Sequence, residues 1–384
     1  MGRGARRGRP LGKTAIALAA TLALALLGAA CGTTGGGNAG EITTAEGGEV
    51  TGDLTISNWP GYIDPGEDGE EGTIAEFEKK AGVKVKYIED VNDNAAFFGK
   101  MQPLLEQGES GGRSIFVVTD WMAKQMYDNG YLQEIDHEDL PEVFANMLPS
   151  LQSPSFDPER SFSVPWQSGM GGIWVDTSKA PEIESVNDLF DPKYKGKVVF
   201  LEELRETVPL LLMAEGIDPA EASNDDWLSA IEKIGDAADS GQIRAFTGNE
   251  YTEDLTAGNV VAAIGWSGDA SLIENENAEW RMPAEGCTLW SDNMVIPVGA
   301  PNTAAALGFM DFVYQPEVAV NITEWVEYIS PVEGVRELAE ANGSEIAESE
   351  LAFPSEEFTA DCSTQDSPPE IEPVEEAWQE VITG

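Results

Sequence analysis

From Asp53 to Val118, two kinds of apolar stretch alternate, and that alternation restricts the fold more than any other feature of the chain. Residues 53–57 (Asp-Leu-Thr-Ile-Ser) read as a strand. Residues 73–81 read as a helix with Ile74 and Phe77 turned inward and Gly82 as its stop. Residues 83–87 (Val-Lys-Val-Lys-Tyr) alternate with period two, as a strand does. A second helix over 97–107 and a third strand over 115–118 complete the run. Strand, helix, strand, helix, strand specifies a parallel sheet covered by helices. Ligands bind such sheets in the crevice beyond the strands' C-terminal ends. Asn58 to Tyr62 and Thr119 to Trp121 both follow strands, so both occupy such ends.

The pattern starts again near Pro165. Gly169 to Val175 is Gly-rich and then apolar, as expected of backbone crossing between two lobes. A strand over 198–201 leads through Glu202-Glu203-Leu204-Arg205-Glu206 into a helix ending near Glu215. The 225–238 helix places Trp227, Leu228, Ile231 and Ile234 on one face, a stripe that core packing explains without a ligand. Strands over 260–264 and 294–298 follow, then helices over 304–313, 318–328, 335–341 and 374–382. The 384 residues suffice for two domains of ordinary size.

The first thirty residues have a different character. Five basic side chains precede and enter an apolar run from Ala15 to Leu27, and Gly28-Ala29-Ala30 stands directly before Cys31. That is the layout of a secretory signal, residues 1–30, and the Cys after small residues resembles a bacterial lipobox in which Cys31 carries the lipid. Residues 31–52, rich in Gly, Thr and Glu, then read as a flexible tether. The expected location is the cell envelope, with the chain exported and lipid-anchored on the outer face of the cytoplasmic membrane, on the periplasmic side. Cys287 and Cys362 remain, and an oxidising compartment permits them to pair.

Charge and motif content then narrow the chemistry. A formal charge of −47 argues against nucleic acid as a partner, because phosphate backbones require the opposite sign. It favours cationic solutes, although solubility or a salty environment explains it equally well. His137 is the single histidine, so a His-based triad would have to use that one residue, which sits in a polar stretch (Ile135 to Asp139) that reads as a solvated turn, and a two-His metal site lacks its second member. No Gly-x-Ser-x-Gly elbow, P-loop or Cys-x-x-Cys pair is present. The acids between Asp64 and Gly72 (Glu67, Asp68, Glu70, Glu71) do not keep an EF-hand spacing and read as a solvated loop. No cofactor, metal or catalytic residue is expected.

What recurs instead is an aromatic ring beside a carboxylate at a strand end: Trp121 by Asp120, Trp266 near Asp269, and Trp290 with Asp292, besides Trp59 and Tyr62. Trp290 and Asp292, two apart on an extended segment, point to one side. A ring face and an anion both attract an ammonium group. Taken alone, such a pair is equally a half-buried Trp and a solvated Asp. Glu203 and Glu206, three apart at a helix start, add two more carboxylates on one side.

In this order and spacing, the motifs resemble the spermidine/putrescine-binding lipoproteins of bacterial ABC importers. The residues that carry the resemblance are Ser57-Asn58-Trp59-Pro60-Gly61-Tyr62-Ile63, Phe77 to Val85, Val118-Thr119-Asp120-Trp121-Met122, Glu202 to Glu206, Gly265-Trp266-Ser267-Gly268 and Trp290-Ser291-Asp292. It implies an α/β, two-lobe type II periplasmic-binding-protein fold with a hinged inter-lobe cleft, lobe 1 being 53–165 and 293–328 and lobe 2 being 166–292 and 329–384. It implies a polyamine ligand, an ABC permease partner, a monomer and no catalysis. Carried over by position, Trp59, Tyr62, Thr119 and Trp121 line one wall. Glu203 and Glu206 meet ammonium groups, Trp266 and Trp290 sandwich the aliphatic chain, Asp292 binds an amine and Tyr328 touches the ligand. The family's C-terminal glutamine has only Gln365 as a poor counterpart, which is left out of the set. With both cysteines in lobe 2, a Cys287–Cys362 bridge fits the implied topology. Two other readings stand beside this one. One is a binder of the same fold for another small solute, such as an amino acid, sugar or metal complex; an anionic one would want Arg in the cleft, where Arg205 is nearest. A secreted hydrolase using two carboxylates would turn over a glycan.

Overall fold

The computed structural model describes residues 42–66, 71–365 and 367–384. The signal sequence, Cys31, residues 32–41 of the expected tether and Glu67, Asp68 and Glu70 lie outside the described residues. The rest of that stretch is not a free tether, since Ala45 is buried and its amide donates to the Glu134 carbonyl at 2.7 Å, while the Glu134 amide donates to the Thr43 carbonyl at 2.8 Å. Among the described residues, no helix is long and apolar enough to cross a membrane.

Ten strands form one sheet: β1 (Leu54–Asn58), β2 (Val85–Glu89), β3 (Ile115–Thr119), β4 (Val164–Asp176), β5 (Val198–Leu201), β6 (Ile243–Thr247), β7 (Ala262–Trp266), β8 (Ala278–Arg281), β9 (Thr288–Val295) and β10 (Ser363–Thr364). Their order is β2-β1-β3-β9-β4-β7-β5-β6, with β8 added on β4 and β10 on β9. Each end is parallel (β2-β1-β3, and β6-β5-β7) with helical crossovers. The middle is antiparallel, where β9 pairs with β3 and β4.

The expected elements form for the expected reasons at the first parallel end. The helix Thr73–Ala81 ends at Gly82, whose φ of 73° lets its amide reach the Glu78 carbonyl. Phe77 packs edge-on against Phe309, with ring centroids 5.3 Å apart. The second helix, Asn94–Leu105, starts earlier than the apolar pattern suggests because Asp93 caps it, accepting from the Ala96 amide at 2.7 Å. β2 begins two residues later than its alternation suggests.

Three features matter for the site. Gly169 to Val175, expected as crossing backbone, lies inside a single 13-residue strand, β4. A helix, Asp120–Asp128, follows β3 without a gap. The helix Pro316–Val326 stops two residues short of the expected end because Glu327 adopts a left-handed φ of 56°. Tyr328 therefore leaves the helix axis, and Ile329 and Ser168 exchange backbone hydrogen bonds of 2.8 and 3.0 Å. Chain passes at Gln167–Ser168, Ser291–Asp292 and Tyr328–Ile329 thus lie side by side.

Candidate ligand-binding site

Four strand ends aim residues at the space beside these passes. Beyond β1, Gly61 (φ 65°) donates its amide to Glu89 Oε1 at 2.8 Å, turning the chain so that Trp59 and Tyr62 face the same way. Thr119 closes β3, Trp266 closes β7, and Glu203 follows β5 as the N-cap of the helix Leu204–Ala214. β9 contributes Trp290 and Asp292 by simple alternation. These groups surround a cavity, lined further by Pro60, Asn94, Asn249, Asp269, Tyr328 and Gln365.

The rings meet edge to face: Trp59 with Trp266 at 5.8 Å, Tyr62 with Tyr328 at 5.3 Å, and Trp290 with Tyr328 at 5.2 Å. Room for them comes from glycine. A Cβ on Gly169 would lie 2.5 Å from the Trp290 ring, and one on Gly268 would lie 2.5 Å from the Tyr328 ring.

Three carboxylates stand among the rings, and among the described residues no Lys, Arg or His lines the cavity. Asp292 Oδ1 accepts from Thr119 Oγ1 at 2.8 Å, and Thr119 is held in turn by Asn94 Nδ2 at 2.8 Å. Burial pushes the Asp292 carboxyl up to about 7, against the opposing pull of the Thr119 hydroxyl and with a small push from Asp120. The Tyr62 hydroxyl faces the same carboxylate but makes no geometrically sound hydrogen bond, so its effect there is electrostatic and secondary. Asp269 is raised by burial too, offset by donors from Tyr251, Tyr328 (2.7 Å) and Asn249 (3.2 Å). Glu203 is raised by burial and by the charge of Asp93, with Arg205 opposing. Five buried polar atoms of the lining have no hydrogen-bond partner among the described residues: Trp59 Nε1, Tyr62 Oη, Trp290 Nε1, Asn249 Oδ1 and Gln365 Oε1.

Of the ten residues expected here from the sequence, eight line the cavity. Trp121 does not. It sits in the first turn of the helix Asp120–Asp128, and its ring lies 3.7 Å from the Arg205 guanidinium in a separate crevice behind Glu203. Glu206 does not line it either. It is fully buried behind the wall, where it accepts from Thr288 Oγ1 and Gln365 Nε2, and burial pushes it up to about 8. Gln365, set aside on sequence, is part of the lining. Cys287 and Cys362 do form a disulfide, as the implied topology allowed. Asp269 had a visible signal three residues after Trp266; Asn94 and Asn249 had none. Under β9, the buried Arg160 donates to Asn293 Oδ1 at 2.9 Å, and Asn293 Nδ2 donates to Asp120 Oδ1 at 2.6 Å.

The chain is similar to several known proteins. A spermidine/putrescine-binding periplasmic protein of Haemophilus influenzae is 26% identical over 315 residues, covering 81% of this chain and 83% of that protein. A putrescine-binding periplasmic protein of Escherichia coli is 28% identical over 363 residues, covering 86% of this chain and 91% of that protein. Among solved structures, a putative spermidine/putrescine ABC transporter from Listeria monocytogenes superposes with a TM-score of 0.73 at 28% identity, covering 86% of this chain and 98% of the other. The substrate-binding protein of a Streptococcus pneumoniae spermidine/putrescine transporter gives 0.68 at 26% identity, covering 87% and 98%. The fold is therefore the mixed α/β periplasmic-binding-protein fold. The profile of a family described as bacterial extracellular solute-binding protein matches residues 72–351, and the chain belongs to that family of non-enzymatic solute binders.

Proposed function

We propose that the cavity binds a polyamine of the spermidine or putrescine type, and that the chain is the substrate-binding lipoprotein of an ABC importer delivering that polyamine to its permease. One observation carries the reading: three buried carboxylates and a cage of Trp and Tyr rings share a cavity that has no basic side chain among the described residues. Buried anions without a cation are costly and protonate or recruit one. An aliphatic chain bearing ammonium groups suits both parts, since its methylenes lie on the rings and its charges meet Asp292, Asp269 and Glu203. The names of the relatives point to the same ligand class.

In this reading, lobe 1 (53–165 and 293–328) and lobe 2 (166–292 and 329–384) close on the ligand about the three adjacent passes. Contacts between the proposed lobes are then Asn92 Nδ2 to Glu250 Oε1 at 2.9 Å, Asn94 Nδ2 to Glu203 at 3.5 Å, and Trp121 under Arg205. Cys31 is the lipidated residue in the same proposal, holding a monomer at the outer face of the membrane through the stretch that precedes the docked residues Thr43 to Glu46. The test is a thermal-shift and calorimetric panel of putrescine, spermidine, spermine, amino acids and sugars. Stabilisation by the amines alone is expected; stabilisation only by an amino acid or sugar overturns the assignment. Cys31→Ala should release the protein from the membrane fraction.

A further inference from the structure

Past Gln365 the segment bearing it is fastened by Arg205 Nε, which donates to Ser367 Oγ at 3.1 Å, and by Asn224, which bonds the Glu370 backbone at 2.7 and 2.9 Å, but its approach to Gln365 rests on a short pairing. Between Gly343 and Glu372 its only strand is β10, two residues long, which pairs in parallel with Thr288 and Leu289 of β9. A pairing of that length does not keep a register by itself. The covalent link stands at its start: Cys362 is bonded to Cys287, the residue before β9, across a sequence separation of 75. From there the Ser363 amide donates to the Cys287 carbonyl at 2.8 Å, and the Gln365 amide to the Leu289 carbonyl at 3.0 Å. The strap lies so close that a Cβ on Gly286 would overlap the Asp361 carbonyl oxygen at 1.8 Å. Gln365 then lines the cavity, with Nε2 on Glu206 and Oε1 unpartnered among the described residues.

We propose that the Cys287–Cys362 disulfide is a positioning element of the ligand site: it pins β10 onto β9 so that Gln365 forms a wall of the cavity, gripped from behind by the buried carboxyl of Glu206, which Thr288 holds from β9. Glu206 thereby acts on the ligand through Gln365 rather than by touching it. The Gln365 carbonyl oxygen is left as an acceptor, the chemistry an ammonium group requires. This rests on the polyamine reading for its ligand, and the test separates the two.

Four proteins are compared by calorimetry with spermidine and putrescine: wild type, Cys287→Ser/Cys362→Ser, Gln365→Ala, and the triple variant. Loss of one hydrogen bond to a charged group predicts about tenfold weaker binding in each of the second and third proteins. The triple variant should be no weaker than Gln365→Ala, because the bond acts through that side chain. Losses that multiply, or a serine pair that binds like wild type, overturn the proposal. If wild type binds neither amine, the polyamine reading falls, and amide hydrogen exchange decides the positioning claim. Protection of the Ser363 and Gln365 amides should then drop at least about tenfold in the serine pair while β1 and β5 keep theirs; equal protection overturns it. Should the serine pair fail to fold, wild type reduced with dithiothreitol in native buffer replaces it in both arms.

Discussion

Glu203 separates two spaces that treat their carboxylates differently. In the crevice behind it, the protein supplies the cation itself: the Arg205 guanidinium lies over the Trp121 ring at 3.7 Å and 3.2 Å from Glu375. In the cavity in front of it, the same pairing of rings with carboxylates recurs at Trp290, Trp266, Asp292 and Asp269, with no basic side chain among them. The crevice is thus an internal example of what the cavity would do with an external ammonium group. The difference also bears on the raised pKa of Asp292. With no basic side chain beside it, burial outweighs the Thr119 hydroxyl and raises its carboxyl to about 7.

The sharpest way to break the comparison is to remove a carboxylate from the cavity and, separately, the cation from the crevice. Asp292→Asn should weaken spermidine binding about 100-fold by calorimetry, the loss expected when one partner of a buried ion pair is removed. Next in size is pH. Because the Asp292 carboxyl is raised to about 7, far above its value in the unfolded chain, the empty protein favours the protonated form. Its stability should therefore be greatest at acid pH and fall as pH rises toward 7. Ammonium binding needs the carboxylate, so affinity should move the other way. One such group predicts about thirtyfold tighter binding at pH 8 than at pH 5.5. Melting curves with and without spermidine across that range check both signs; parallel trends would contradict the account.

Trp266→Leu keeps an apolar wall but removes a ring face, and should cost about tenfold in affinity, the upper range of a desolvated cation–π contact. The smallest effect is expected at the crevice. Arg205→Met should lower the melting temperature yet change spermidine affinity by less than about threefold, since the residue touches no cavity group except through the Glu203 cap. A loss at Arg205 matching that at Asp292 would show that the two spaces are one site.

The difference between these spaces was only partly legible in the sequence. Trp290 and Asp292 follow from strand alternation, and Trp59 and Tyr62 from their place after β1. Trp121 looked equivalent because it follows a strand too. Yet Met122, Ala123 and Met126 are buried at helical spacing, a stripe that marks the helix carrying Trp121 away. The Thr119 hydroxyl gives no local sign of a cap because it bonds Asp292 instead. Tyr328 depends on a left-handed glutamate, which no local pattern announces. Gln365 sits on a segment bonded to a cysteine 75 residues away, and Glu206 is turned to Thr288 and Gln365, both distant in sequence. Proximity of that kind is invisible to local periodicity, and only the paired cysteines hinted at it.

β9 carries two unrelated duties on its two faces. Thr288, Trp290 and Asp292 serve the cavity side, while Ser291 bonds Ser168 and Asn293 joins Arg160 to Asp120 on the other. A slip of one residue would exchange the faces, putting Ser291 and Asn293 in the cavity and an indole and a carboxylate into the supporting network. Descendants of this protein can therefore drift in ligand preference by single substitutions at alternate positions of the strand, whereas an insertion or deletion within it would end recognition and scaffold together.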